Sequence, residues 1–151
     1  MKSVFIVALA LLSSTMFSSC NKGEDTYNLQ EGTWIIDGTL YSAAYVTKNV
    51  SVNSLTAIDL NSNGVNIYFH QLPTSDGTYK IVRSPKQSSE VAVYAVLQDS
   101  TRVFASSDNE KQTATVSIKN NKIQISIPRI NVTNIHQPDE ETGLQAFFLE
   151  N

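Results

Sequence analysis

The sequence has only one cysteine among 151 residues, Cys20, so the chain cannot form an internal disulfide. Basic residues are also few: 11 lysines and arginines face 14 aspartates and glutamates, which gives a formal net charge of −3. No basic stripe occurs, and this balance argues against nucleic acid as a partner. Beyond residue 20, no stretch of helical length shows the i, i+3, i+4 spacing of an amphipathic helix. The chain must therefore fold by packing strands.

The first twenty residues have the pattern of a secretory signal. Lys2 precedes an apolar run from Val4 to Leu12, and small polar residues lead to Ser18-Ser19-Cys20. An apolar segment of this length is typical of a cleaved signal rather than of a membrane-spanning helix. The position of Cys20 resembles the lipobox of bacterial lipoproteins, in which the cysteine becomes the lipid-bearing first residue. The resemblance predicts a signal peptide over residues 1–19 and membrane attachment through a lipid anchor on Cys20.

A polar segment over residues 20–31 follows, with no apolar periodicity, and we interpret it as the lipidated cysteine and a flexible tether. Its first part, Asn21-Lys22-Gly23-Glu24-Asp25, resembles the surface-export tag of Bacteroidetes lipoproteins. The resemblance implies an outer-membrane lipoprotein exposed on the cell surface, with a periplasm-facing orientation as the alternative.

Residues 32–151 show the pattern of an all-β domain. Turn signals recur at short intervals, among them Asp37-Gly38, Asn61–Gly64 and Asn120-Asn121. Apolar and polar residues alternate over Val65–Phe69, as in a half-buried strand. We predict an antiparallel two-sheet β-sandwich of about nine or ten strands. A lipocalin-like barrel is the alternative.

Four finer expectations follow from the same patterns. Thr39–Val46 is expected to form one strand, and Pro128 is expected to end the strand that begins at Ile123. Glu90–Leu97 is nearly all apolar, so we expect a central strand covered on both faces. Trp34 and Tyr94 lie in apolar runs and are expected to belong to the core.

The sequence shows no set of residues that indicates catalysis or a bound metal. His136 lies near Asp139 and Glu140, but a solvated acidic loop explains this group, and we predict no metal and no cofactor. No serine lies in a Gly-x-Ser-x-Gly motif. A hydrolase would need two acids that converge in one cleft, whereas the acids here lie at turns and strand ends. We therefore predict that the protein is not an enzyme.

Tyrosines are the best candidates for ligand contact. Tyr68 alternates out of phase with its apolar neighbours and should face outward. With Tyr41 or Tyr45 it would form an exposed aromatic platform, a feature that marks binding sites. Separately, Asp99-Ser100-Thr101 resembles the acceptor for O-linked glycans in secreted Bacteroidetes proteins, which makes Ser100 a candidate for modification.

Several segments together resemble a family. They are Gly32–Gly38 with Tyr41, Gly77–Lys80, Val91–Val93, and Lys122–Pro128. The pattern resembles small, uncharacterised Bacteroidetes surface lipoproteins with a single β-sandwich after the lipid-modified cysteine. The resemblance implies no assigned reaction and no catalytic residues. Gly32-Thr33-Trp34 also resembles the Gly-x-Trp start of lipocalin-type barrels, which implies a small apolar ligand inside a cup.

These observations define two functional hypotheses. The first is a lipid-anchored cell-envelope protein that acts as a non-enzymatic binding or interaction module for a glycan or protein ligand outside the membrane. The second is a lipocalin-like carrier of a small apolar molecule.

Overall fold

The computed structural model describes residues 27–97, 102–108 and 111–151. Regular structure in these ranges consists of eleven β-strands and one short 3-10 helix, Val50–Val52, which confirms the prediction of an all-β fold. Within the same ranges, no helix has the length and apolar character needed to cross a membrane. The predicted signal peptide over residues 1–19, Cys20 and Ser100 lie outside the described residues.

The strands are connected by hydrogen bonds into one sheet. They are β1 (Thr33–Ile36), β2 (Thr39–Ser42), β3 (Tyr45–Asn49), β4 (Ser54–Ile58), β5 (Gly64–Phe69), β6 (Gly77–Ile81), β7 (Glu90–Val96), β8 (Val103–Ser106), β9 (Thr113–Lys119), β10 (Lys122–Asn134) and β11 (Glu141–Leu149). Their order is β2-β1-β11-β10-β9-β6-β7-β5-β4-β3, and β8 pairs with both β10 and β7. All pairings are antiparallel except β6–β7, which is parallel.

Two predicted turns form tight hairpins. Asp37 and Gly38 have φ angles of 52° and 71°, and they join β1 to β2. Asn120 and Asn121 have φ angles of 51° and 64°, and they join β9 to β10. Positive φ at both central residues gives the turn a twist that matches the twist of the flanking strands, and Asn, Asp and Gly tolerate this conformation best.

The prediction of a single strand over Thr39–Val46 is wrong. The N–H of Ala43 donates to Gly32 O, next to β1, whereas the N–H of Ala44 donates to Ile58 O at the end of β4. Consecutive residues thus bond to different parts of the sheet. The segment divides into β2 and β3 at this point.

The prediction that Pro128 ends its strand is also wrong. β10 continues through Pro128 to Asn134, and its register with β11 shifts between Ile127 and Ile130. On the other edge of β10, β9 pairs up to Ser126 and β8 begins to pair at Val132. Proline has no N–H to donate, so a bulge between two pairing partners accommodates it.

One hydrophobic core joins the inward-facing residues of nearly all the strands. Trp34 is completely buried in it, as predicted. Its ring stacks on Tyr41, with centroids 5.3 Å apart, and meets Phe148 edge-on at 5.9 Å. These contacts anchor β1 and β2 to β11.

The first described residue, Tyr27, is held against the outward face of β11. The side-chain amide of Gln145 accepts a hydrogen bond from Tyr27 N at 3.2 Å and donates to Tyr27 O at 2.6 Å. Gln145 lies opposite Ile35 in the β1–β11 pair. The chain therefore enters the domain beside β1 and β11.

Candidate ligand-binding groove

The outward faces of β5 and β7 meet side by side and combine aromatic with polar groups. On β5, Val65 and Ile67 point into the core, so the alternate residues Asn66 and Tyr68 point outward. Asn66 lies opposite Tyr94 of β7 in the register of this pair. Both rows of side chains therefore face solvent on the same side of the sheet.

Tyr94 does not belong to the core, so the prediction for this residue is wrong. Val91, Val93 and Ala95 take the inward positions of β7, and Tyr94 is a half-buried residue of the outer face. The prediction that β7 is central is correct, because the strand pairs with β5 on one edge and with β6 and β8 on the other. The expectation that both of its faces are covered is wrong, since Tyr94 and Val96 on the outer face are partly exposed. The prediction for Tyr94 failed because nearly every residue of Glu90–Leu97 is apolar, so the sequence does not show which positions face outward.

A loop after β6 turns this face into a groove. The Tyr94 hydroxyl donates to Arg83 O at 3.2 Å, which holds the loop Arg83–Pro85 beside the sheet. The groove has a volume of about 420 Å³, within the range of pockets that take small ligands. Its lining consists of Asn66, Tyr68, Arg83, Ser84, Pro85, Ala92, Tyr94, Val96 and Val103.

Two tyrosine rings form the aromatic part of the groove. Tyr68 and Tyr94 meet edge to face, with ring centroids 5.6 Å apart and an interplanar angle of 86°. Tyr68 remains 37% exposed, so its ring is accessible. The residue opposite Tyr68 on β7 is Ala92, whose small side chain leaves space beside the ring. An edge-to-face pair fixes the position of the accessible ring.

The polar part of the groove is oriented by hydrogen bonds. Thr56 Oγ1 donates to Asn66 Oδ1 at 2.7 Å, which directs the amide group and leaves Nδ2 with no bond among the described residues. The N–H of Arg83 donates to Asp108 Oδ1 at 2.9 Å. Among the described residues that line the groove, Arg83 is the only charged one. The groove thus offers a ring face, an amide donor and a guanidinium to a bound molecule.

The structure brings only one of the three predicted tyrosines into this groove. Tyr68 lines it, whereas Tyr41 stacks on Trp34 in the β1–β2 hairpin. Tyr45 is 62% exposed on β3, two strands away from Tyr68. Tyr45 lies opposite Ile58, which in turn lies opposite Gly64 at the start of β5. Tyr68 lies opposite Ser54 at the other end of β4, so the two tyrosines are also offset along the strands. The expected platform of Tyr68 with Tyr41 or Tyr45 does not form.

In the acidic loop near His136, the carboxylate of Glu140 forms hydrogen bonds within the fold. Glu140 Oε1 accepts from Arg102 Nη2 at 3.0 Å, and Glu140 Oε2 accepts from Asn134 Nδ2 at 2.6 Å. Arg102 also donates to Asp37 Oδ2 at 2.6 Å, and this hydrogen bond is the main cause that raises the pKa of Arg102 above its ordinary value. Among the described residues, no group of three potential ligands suits a metal ion.

Three carboxylates at strand ends accept hydrogen bonds from backbone N–H groups in separate parts of the fold. Asp59 Oδ1 accepts from Asn61 N at 2.8 Å, and Asp76 Oδ1 accepts from Ile118 N at 2.6 Å. Glu90 Oε2 accepts from Lys86 N at 2.7 Å. Asp99 lies outside the described residues. Each of the three described carboxylates thus stabilises a different turn or loop.

Three functional residues of the groove, Asn66, Arg83 and Tyr94, were not predicted from the sequence. The phase of β7 carries a signal for Tyr94, because Val91, Val93 and Ala95 occupy one face and Tyr94 the other. No comparable signal exists for Arg83, whose place depends on a hydrogen bond between residues 83 and 94. Comparison with protein-family models, with curated proteins and with solved structures found no match for this chain.

Proposed function

We propose that this protein is a lipid-anchored, non-enzymatic module of the outer membrane that binds a glycan outside the membrane. The observation that carries the binding proposal is the groove in which an accessible tyrosine ring, an oriented amide and a guanidinium lie together. The proposal of a lipid anchor on Cys20 rests on the signal-like sequence before it and on the resemblance to Bacteroidetes lipoproteins.

A glycan fits this groove better than a peptide because of its position in the sheet. Extended peptides often bind by adding a strand to a free sheet edge, where unpaired backbone groups are available. β5 pairs on both edges, with β4 and β7, and β7 also pairs on both edges. We therefore expect the groove to recognise its ligand through side chains, with the C–H face of a sugar ring stacked on the ring of Tyr68.

We further propose that the connected sheet is folded into two layers. β1, β10 and β11 would form one layer and β3, β4, β5 and β7 the other, since inward residues of both sets share one core. The packing of Trp34 between Tyr41 and Phe148 supports a filled interior. This packing favours a binding module over a carrier with an apolar cup.

Mass spectrometry of the protein extracted from membranes tests the anchor. We expect the chain to begin at Cys20 and to carry the added mass of acyl chains. A Cys20→Ala variant should be released from the membrane fraction. Protease treatment of intact cells then separates a surface-exposed domain, which is digested, from a periplasm-facing one, which is protected. An unacylated, freely secreted product would contradict the anchor.

A glycan array probed with the full chain in mild detergent tests the groove. We expect binding to at least one polysaccharide and a loss of tenfold or more in affinity for Tyr68→Ala. Tyr45→Ala is the matched control, because it removes an exposed tyrosine from β3, two strands away from Tyr68 and outside the groove. Equal losses in both variants, or no retained glycan, would refute glycan binding at this site.

A further inference from the structure

We infer that the groove selects a glycan that carries carboxylates, that is, a polymer containing uronic acid, and that Arg83 binds the carboxylate. This inference rests on the proposed glycan binding and adds the chemical class of the sugar. The guanidinium of arginine presents a planar set of donors that matches the two oxygens of a carboxylate. Tyr68 would meanwhile contact the ring of the same or the adjacent sugar.

The backbone of Arg83 is held in place, and its guanidinium has no ion-pair partner among the described residues. Its backbone N–H donates to Asp108 Oδ1, and its carbonyl accepts from the Tyr94 hydroxyl at 3.2 Å, so both sides of the peptide are fixed. No carboxylate of the described residues forms an ion pair with the Arg83 side chain, which is exposed. By contrast, Arg102 is paired with both Asp37 and Glu140. An arginine with a fixed backbone, an exposed side chain and no ion-pair partner in the described part of the chain is suited to an anionic ligand.

A second pocket extends the groove past Arg83. It has a volume of about 440 Å³ and shares Arg83 and Ser84 with the groove. Its charged lining comprises Lys80, Arg83, Lys86, Glu90 and Asp108. Both carboxylates already accept hydrogen bonds from the backbone N–H groups of Lys86 and Arg83. The second pocket therefore gives a chain-like ligand room to continue beyond the groove, past Arg83 and Lys86.

The spacing of charge favours a uronate polymer over a nucleic acid. Double-stranded DNA carries roughly one negative charge per 1.7 Å of its axis and is bound through many lysines and arginines. This chain has a net charge of −3 and would repel so dense a polyanion. A uronate polymer carries at most one charge per sugar, which one or two cations can bind.

Affinity electrophoresis of the full chain in detergent tests the inference. The probes are polygalacturonate, alginate and hyaluronan, each compared with its methyl-esterified form, which keeps the sugar but loses the charge. We expect at least one free acid to bind tenfold or more tightly than its ester, and the difference to shrink at high salt. Arg83→Ala should abolish this preference. Lys122→Ala is the control, since it removes an equal charge from an exposed position outside the groove.

The outcomes separate this inference from the proposed function. Equal binding of acid and ester, lost in Tyr68→Ala, would overturn carboxylate recognition and leave glycan binding intact. Binding of neutral polysaccharides alone would overturn it as well. Failure of every glycan, charged or neutral, would overturn both proposals. A preference for the acid that Lys122→Ala reduces as much as Arg83→Ala would show diffuse electrostatics and would also overturn the role of Arg83.

Discussion

The hydroxyl of Ser106 accepts a hydrogen bond from the backbone N–H of Val93 at 3.0 Å. The same hydroxyl donates to Val82 O at 2.8 Å. On this edge of β7, β6 pairs only as far as Val91 and β8 begins to pair at Tyr94. Ser106 therefore supplies the hydrogen bonds that neither neighbouring strand can provide, and it does so next to the loop that forms the groove.

We expect Ser106→Ala to destabilise the fold by about 1–3 kcal/mol, because two buried backbone groups would lose their partner. Chemical denaturation followed by circular dichroism measures the change. Ser107→Ala is the matched control, since Ser107 is exposed and its substitution should change stability by less than about 0.5 kcal/mol. Equal effects of the two substitutions would contradict the bridging role of Ser106.

Gly64 has no room for a side chain. It lies opposite Ile58 of β4 on one edge of β5 and opposite Val96 of β7 on the other. A Cβ there would lie 2.9 Å from Ala57 O and 3.4 Å from Ile58 Cγ1. We expect Gly64→Ala to cost about 1–3 kcal/mol of stability, because backbone atoms of β4 would have to shift. At Gly77 the nearest atom would be Tyr79 Cε2 at 3.4 Å, so Gly77→Ala should be tolerated. Comparison of the two midpoints in urea tests this difference.

Thr56 lies outside the groove lining and orients Asn66 within it. Thr56→Val removes the hydrogen bond to Asn66 Oδ1 and keeps the branched shape. We expect a two- to tenfold loss of glycan affinity, which corresponds to about 0.5–1.5 kcal/mol. Thr47→Val changes the residue opposite Thr56 on β3 and should leave affinity unchanged. Titration calorimetry with the best glycan from the array measures the affinity of both variants. If Thr56→Val binds as tightly as Thr47→Val, the amide of Asn66 needs no orientation.

Burial raises the pKa of Tyr79 above its ordinary value of 10.0. Because the folded-state pKa is the higher one, the unfolded chain releases this proton first as pH rises. The stabilising contribution is therefore complete below about pH 10 and is lost as pH rises through the folded-state pKa. We expect the stability of the protein to fall more steeply above pH 10 than that of Tyr79→Phe. Urea midpoints measured from pH 8 to pH 11 test this, and parallel curves would contradict it.

Local patterns predicted much of the fold. The positive φ angles at Asp37-Gly38 and Asn120-Asn121 follow from residue types that tolerate them, and both pairs form hairpins. The alternation over Val65–Phe69 correctly placed Tyr68 outside. Each of these features depends on residues that are close in the sequence, and this is why a single sequence reveals them.

Features that depend on distant partners were not predictable in this way. Ala43 and Ala44 divide a strand because their N–H groups reach Gly32 and Ile58. Pro128 stays within β10 because the partners on one edge change there. The groove itself needs Arg83 beside Tyr94, and this contact depends on the parallel pairing of β6 with β7 and on hydrogen bonds that join the segment after β6 to Ser106 and Asp108.

The amide contact between Tyr27 and Gln145 has a mechanical consequence. A pull applied through the amino-terminal segment enters the domain at this contact and passes into β1 and β11, which pair with each other. Drag on a polymer bound in the groove would instead act on β5 and β7. Neither strand pairs with β1 or β11. With the proposed anchor and the proposed glycan both in place, tension at the anchor and tension on the glycan would therefore act first on strands that do not pair with each other.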